Sequence, residues 1–175
     1  MKKSIICIVI LIFSLLTISL TSCMIDTTEE LCDKKIETII SSLENNDAEA
    51  IKNLFSTNAI NSDEAFDEKV NQFIAFFEGE YQSYEDDGVF THEDVDYGKY
   101  IVYHEIPYNV FTTKYVYRIA FKWYSKDDYD RNNLGISSLY VKRVDLNSNL
   151  DYSYLGDISN TLGLHIENLE NAWEK

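Results

Sequence analysis

His104 is the one ionisable side chain on a face that the sequence marks as inward, between Val102 and Ile106 in an alternating run. An imidazole there could serve as a general acid or base, because its ordinary pKa lies close to neutrality. The next alternating run adds Tyr115, Tyr117, Phe121 and Trp123 on one side. With His104 they would line an aromatic concavity suited to a small apolar or sugar-like ligand, or to a segment of a partner. In a small hydrolase- or isomerase-type site, His104 would move the proton. A core histidine bonded to a backbone carbonyl or a tyrosine hydroxyl fits the same pattern. That structural role is the expected one.

Other constellations are weaker. Asp128-Tyr-Asp130-Arg-Asn132-Asn133 begins like a calcium loop, but Asn133 stands where such a loop turns on glycine and Leu139 where it needs a bidentate glutamate. It reads as a connection rich in turn formers. Glu85, Asp86, Asp87, Glu93, Asp94 and Asp96 read as a solvated rim. His92 and His165 lie in polar context and are expected to be exposed. Zinc-spaced Cys/His sets, a nucleophile elbow and a glycine-rich phosphate loop are missing from the sequence. No metal and no cofactor are expected.

Thirty acidic residues face fifteen basic ones in a chain of 175, for a net charge of -15. Such a chain does not offer the basic surface that nucleic acid requires, and anionic lipid headgroups repel it. Thirteen tyrosines and nine phenylalanines supply enough apolar mass for a packed core.

The first residues have a different character. Lys2 and Lys3 precede an apolar run from Ile5 to Leu20, then Leu20-Thr-Ser-Cys23. The run is short for a spanning helix and ends in small residues, as export signals do. Leu20-Thr-Ser-Cys23 resembles the lipobox of bacterial lipoproteins, in which the cysteine becomes a diacylated mature N-terminus. That resemblance implies a signal peptide over 1–22, lipidation (palmitate among the acyl chains) at Cys23, and anchoring on the outer face of the cell membrane. Two or more chains suffice for stable anchoring. A short tether, 23–30, would hold the rest close to the bilayer. Cys7 would leave with the leader, so Cys32 is expected as a lone, buried thiol.

The elements that must position these groups are legible in outline. Thr27-Thr-Glu-Glu30 has the spacing of a helix capping box. Leu31, Ile36, Ile39, Ile40 and Leu43 then recur at helical period up to Asn45-Asn46. Asp47 caps a second short helix carrying Ile51, Leu54 and Phe55. Residues 58–62 read as a connection. A third helix from about Asp63 carries Phe66, Val70, Phe73, Ile74 and Phe77 and stops at Gly79. Alternation takes over after Glu80. Strands are expected at Tyr81–Tyr84, from about Lys99 to Phe111, over 114–124 and from Gly135 to Val144, with 89–97 ambiguous. Pro107 argues for an edge or a bulge. In 114–124 the aromatic side is the buried one, and Lys122 belongs to the open side. A short helix from His165 to Trp173 is expected last. The result is one α+β domain over 31–175, three N-terminal helices packed on a curved antiparallel sheet of about four strands.

Several segments carry a family resemblance: Asn53-Leu-Phe-Ser56, Phe76-Phe-Glu-Gly79, Tyr117-Arg-Ile-Ala-Phe121, Lys126-Asp-Asp128, Asn133-Leu-Gly-Ile136, Ser138-Leu-Tyr-Val141 and Leu155-Gly-Asp157. They resemble an uncharacterised family of Gram-positive lipoproteins, domain of unknown function 5104. The order of elements resembles the nuclear-transport-factor-two-like (cystatin-like) cone. The family implies no activity, substrate or catalytic residue; some enzymes of the cone fold place an Asp or His in its pocket. The expectation is a membrane-anchored extracytoplasmic module that binds a small ligand or a cell-surface protein, more a binder than an enzyme. The alternative is a small pocket enzyme using His104.

Overall fold

The computed structural model of the chain describes residues 26–145 and 161–167. Helix α1, Thr28–Asn45, starts as its sequence dictates. The Thr27 hydroxyl accepts from the Glu30 amide, and the Glu30 carboxylate returns the bond to the Thr27 amide. It ends at Asn46, whose left-handed φ of 56° closes the last turn. Asp47 caps α2, Ala48–Lys52.

The connection expected at 58–62 is instead a third short helix, α3, Thr57–Asn61, capped by the Ser56 hydroxyl. Five residues are too few to show a period, which is why it escaped. Helix α4 covers Phe66–Phe76. Among the described residues four helices therefore stand where three were expected, and six strands where about four were.

The strands are β1, Tyr81–Asp86; β2, Phe90–Asp96; β3, Lys99–Thr112; β4, Tyr115–Asp127; β5, Gly135–Asp145; and β6, Gly163–Glu167. They form one mixed sheet in the order β1-β3-β4-β5-β6, with β2 also on β3. All pairings are antiparallel except β5 with β6. The helix expected from His165 is thus β-strand over 165–167; the remainder of that expectation lies outside the described residues.

β1 and β2 lie end to end along one side of β3, pairing with its two halves. Pro107 sits opposite the gap between them. Its carbonyl accepts from the Asp87 amide, and in a strand N–H and C=O of one residue point the same way. The N–H that proline lacks therefore faces the gap, where no ladder bond is lost. Pro107 marks an interruption in the neighbouring strand, not an edge.

One face of the sheet carries Ile106, Tyr108, Val110, Tyr117, Ile119, Phe121, Ile136, Leu139, Val141 and Leu164 against Ile36, Ile39, Ile51, Phe55, Phe66 and Phe73 of the helical layer. Cys32 is buried there as a free thiol. Its thiol is pushed up to about 12, chiefly by desolvation, which leaves it inert at neutral pH. The aromatic side of β4 faces inward as its alternation predicts. The other side is not open: Val116, Arg118, Ala120 and Lys122 are buried too. Arg118 reaches Asp87 at 2.7 Å and Asn109 at 2.9 Å, and Lys122 lies 3.9 Å over the Tyr103 ring.

Gly135 opens β5 at φ +116°, where an added Cβ would stand 2.9 Å from the Ser56 nitrogen. The chain passes Phe55 so closely there that the Ser56 amide donates to the Ile136 carbonyl and the Ile136 amide to the Leu54 carbonyl. Only glycine combines that backbone angle with that approach.

Candidate functional site

His104 lies on the inner face of β3, opposite Thr91 of β2 and Trp123 of β4. Only 3% of its surface is exposed. Its Nδ1 lies 2.9 Å from the Thr91 hydroxyl and its Nε2 2.9 Å from the Ser125 hydroxyl. Ser125 is the extra residue of a β-bulge, since Val102 pairs with Lys126 and Tyr103 with Tyr124. The bulge brings the Ser125 hydroxyl back towards the ring. Burial lowers the pKa of His104 from its ordinary value, so the ring is neutral at pH 7.

A serine hydroxyl on an imidazole has the spacing of a nucleophile and its base. Here the other ring nitrogen meets a neutral hydroxyl. An imidazolium formed by taking the Ser125 proton would sit desolvated beside Thr91 with no countercharge from either bonded group. What the arrangement does well is tie β2, β3 and β4 together with one neutral ring. The expected partners, a carbonyl or a tyrosine, prove to be two hydroxyls.

The four aromatic residues are brought onto one strand face and differ in their access to solvent. Tyr117 and Phe121 are wholly buried. The Tyr117 hydroxyl donates to the Phe76 carbonyl at 3.0 Å and accepts from the Glu78 amide at 2.7 Å. Phe121 stacks on Tyr108 at 5.8 Å. Trp123 lies under the Lys35 ammonium at 4.2 Å, and Tyr115 at the rim packs under Arg143 at 4.3 Å. At Tyr117 and Phe121 the expected concavity is filled by the chain's own side chains, because α1 and α4 bring enough apolar volume to close it.

The calcium-like loop is a structural turn. Asp127 Oδ1 accepts from the Tyr129 and Asp130 amides at 2.9 Å each, and Oδ2 from Asn133 at 2.8 Å. Those bonds hold its pKa below the ordinary carboxylate value despite burial. Asp130 and Asn133 both receive Asn58 of α3. No group of three metal-ligating side chains occurs among the described residues. The acidic set at 85–87 and 93–96 is exposed as expected, and so is His92; His165 is half-buried, stacked on Tyr140.

An opening that the sequence did not suggest lies between α1 and β1. Glu37, Ile40, Ser41 and Glu44 from the helix and Tyr81 and Tyr84 from the strand enclose about 250 Å³. A depression of about 620 Å³ between α1 and the start of α2 adjoins it and shares Glu37 and Ser41. Ile40 forms an apolar floor at 3% exposure. Tyr84 stands edge-on to Tyr108 at 5.6 Å and donates to Glu37 at 3.2 Å. Burial, with Asp33 and Glu37, pushes the Tyr84 hydroxyl up to about 12; burial, Glu37 and Glu44 act the same way on Tyr81. The groove is aromatic, neutral at its floor and negative at its rim.

Tyr81 and Tyr84 are three residues apart, which in a regular strand puts them on opposite faces. A bulge at Gln82 cancels that: Tyr81 pairs with Thr112 and Tyr84 with Val110, so both point towards α1. The bulge carries no sequence signature, and the groove was illegible for that reason.

Cys23 and the leader lie outside the described residues. No helix among the described residues is long and apolar enough to cross a membrane. Compared with known families, residues 38–147 match one described as Domain of unknown function (DUF5104). A search of curated proteins finds no match to the chain.

Proposed function

The chain belongs to the DUF5104 family, and we propose that it is an exported lipoprotein on the outer face of the cell membrane in a Gram-positive cell, anchored through Cys23, that acts as a binding module. The leader sequence supports the export and the anchor. The order of helices ahead of a largely antiparallel sheet supports a variant of the nuclear-transport-factor-two-like cone. Residues 31–175 act as one unit in this reading.

The ligand seat is the α1–β1 groove rather than the interior behind His104. The observation that carries this is the contrast in access: Tyr117 and Phe121 have no exposed surface, while Tyr81, Tyr84, Glu37 and Glu44 surround an open space. Neutral phenol rings beside carboxylates favour a cationic group, through ring quadrupole and charge together.

The test is a titration of the full-length chain in detergent micelles with arginine amide, followed by NMR of labelled tyrosine rings. Shifts at Tyr81 and Tyr84, with Tyr108 and Tyr117 unmoved, support the groove. Shifts confined to Tyr117 would put the ligand in the interior instead.

A further inference from the structure

The groove is also a sheet edge. β1 ends the strand order and pairs with β3 alone, so among the described residues its other side carries no partner strand. An extended strand of this kind presents backbone N–H and C=O groups outward at alternate residues. Helix α1 stands over that edge with Glu37 and Glu44, and the two bulge-aligned tyrosines point up at it.

Building on the groove reading above, we propose that the edge and the groove together dock an extended, basic segment of a partner protein, which adds to the sheet beside β1 and lays alternate side chains beneath α1. The spacing suits a strand. A neighbour sits about 4.8 Å from β1 in the sheet plane, and its side chains on one face repeat about every 6.8 Å. Glu37 and Glu44 are seven residues apart on α1, about 10.5 Å along its axis. Lysine or arginine stems can span that difference while lying over Tyr81, Tyr84 and Ile40, with their charged ends at the carboxylates.

Charge selects this occupant over a second copy of the chain. Glu85 and Asp86 continue the acidic edge past the groove, both exposed. The nearest cation on α1's outer flank, Lys34, is taken by Asp26 at 2.6 Å. A self-paired β1 would bring two copies of this acidic edge, each with its Glu37 and Glu44, side by side, and like charges brought together across a strand pair are destabilising. A basic strand neutralises the same groups. Backbone pairing supplies affinity, and alternate side chains supply selection.

The probe is a fluorescein-labelled ten-residue peptide alternating lysine with threonine, titrated against the full-length chain in non-ionic micelles by fluorescence anisotropy. The proposal expects saturable binding, at least tenfold weaker for the same sequence N-methylated throughout, because that peptide keeps its charge but cannot pair as a strand. The double variant Glu37→Lys/Glu44→Lys weakens binding at least tenfold. Reversal at Glu93 and Asp94 on β2, equally exposed, leaves it within twofold. Equal binding of the N-methylated peptide, equal loss from the β2 reversal, or no binding of the basic peptide each overturns the proposal. If arginine amide still shifts Tyr81 and Tyr84 in that case, strand addition alone has failed; if it does not, the groove reading has failed with it.

Discussion

At the scale of single residues, His104 is an uncharged strut. Its two ring nitrogens hold Thr91 and Ser125, and the ring must be neutral to do so from a buried site. His104→Ala removes a buried ring that bonds two hydroxyls and packs on Trp123, and should lower stability by about 1–3 kcal/mol. The pH dependence has a definite sign. Burial sets the folded pKa below the ordinary 6.5 of the unfolded chain. As pH falls through that value, the unfolded chain takes up a proton that the folded ring refuses, so stability is lost until the folded ring also titrates. Urea midpoints at pH 7.5 and 5.5 should therefore fall more for the native chain than for His104→Gln. An equal fall in the two would remove His104 from the linkage. Burial lowers the His165 pKa in the same direction, so His165→Gln belongs beside it as a control. On β4, Phe121→Ala should cost about 3–5 kcal/mol as a large-to-small core change. Lys122 was placed by alternation on an open face, where truncation is close to neutral. With its ammonium over Tyr103 and only 7% of the residue exposed, Lys122→Ala should instead cost about 1–2 kcal/mol, measured in the same denaturant melts.

At the scale of elements, legibility tracked the reach of the signal. Helices α1 and α2 announced themselves through caps, because capping is a contact within three or four residues. Strand β4 announced its inner face through its own alternation. What failed was either too short to carry a signal or depended on something distant. α3 is too short for a period, β6 gains its shape from pairing with β5, and both faces of β4 are buried, a fact its sequence could not carry. The β1 bulge moved Tyr81 and Tyr84 into one groove without any residue type that marks a bulge. Gly135 shows the same split. The sequence placed it only as the first residue of a strand, yet the structure needs it for the Phe55–Ile136 crossing between the helical layer and β5. Gly135→Ala should cost at least about 2 kcal/mol, since it adds backbone strain to a collision with the Ser56 nitrogen. Gly88→Ala, with open space around its Cβ, carries only the strain of its positive φ and should cost less. Comparing the two by thermal melting separates the crossing from the dihedral.

At the scale of the whole molecule, the proposed anchor and the acidic body work against each other, and the tether sets the terms. A net charge of -15 disfavours spontaneous association with anionic lipid, so nothing in the described residues would keep this chain at a membrane by charge. Acyl chains at Cys23 would do so. With α1 beginning at Thr28, about five residues separate lipid from fold, at most ~17 Å of extended chain. The body would then be held within a few Debye lengths of the headgroups that repel it, a state that a single reversible contact could not maintain. Attachment in this reading depends wholly on one sulfur. Cys23→Ala should abolish incorporation of a labelled fatty acid and either release the chain into the medium or leave its precursor uncleaved, while the urea midpoint of the folded part stays unchanged. Raising ionic strength should not detach the native chain, since salt screens the repulsion and leaves the acyl chains in place. Normal acyl labelling in the Cys23→Ala variant, or release of the native chain by salt alone, would overturn the anchor.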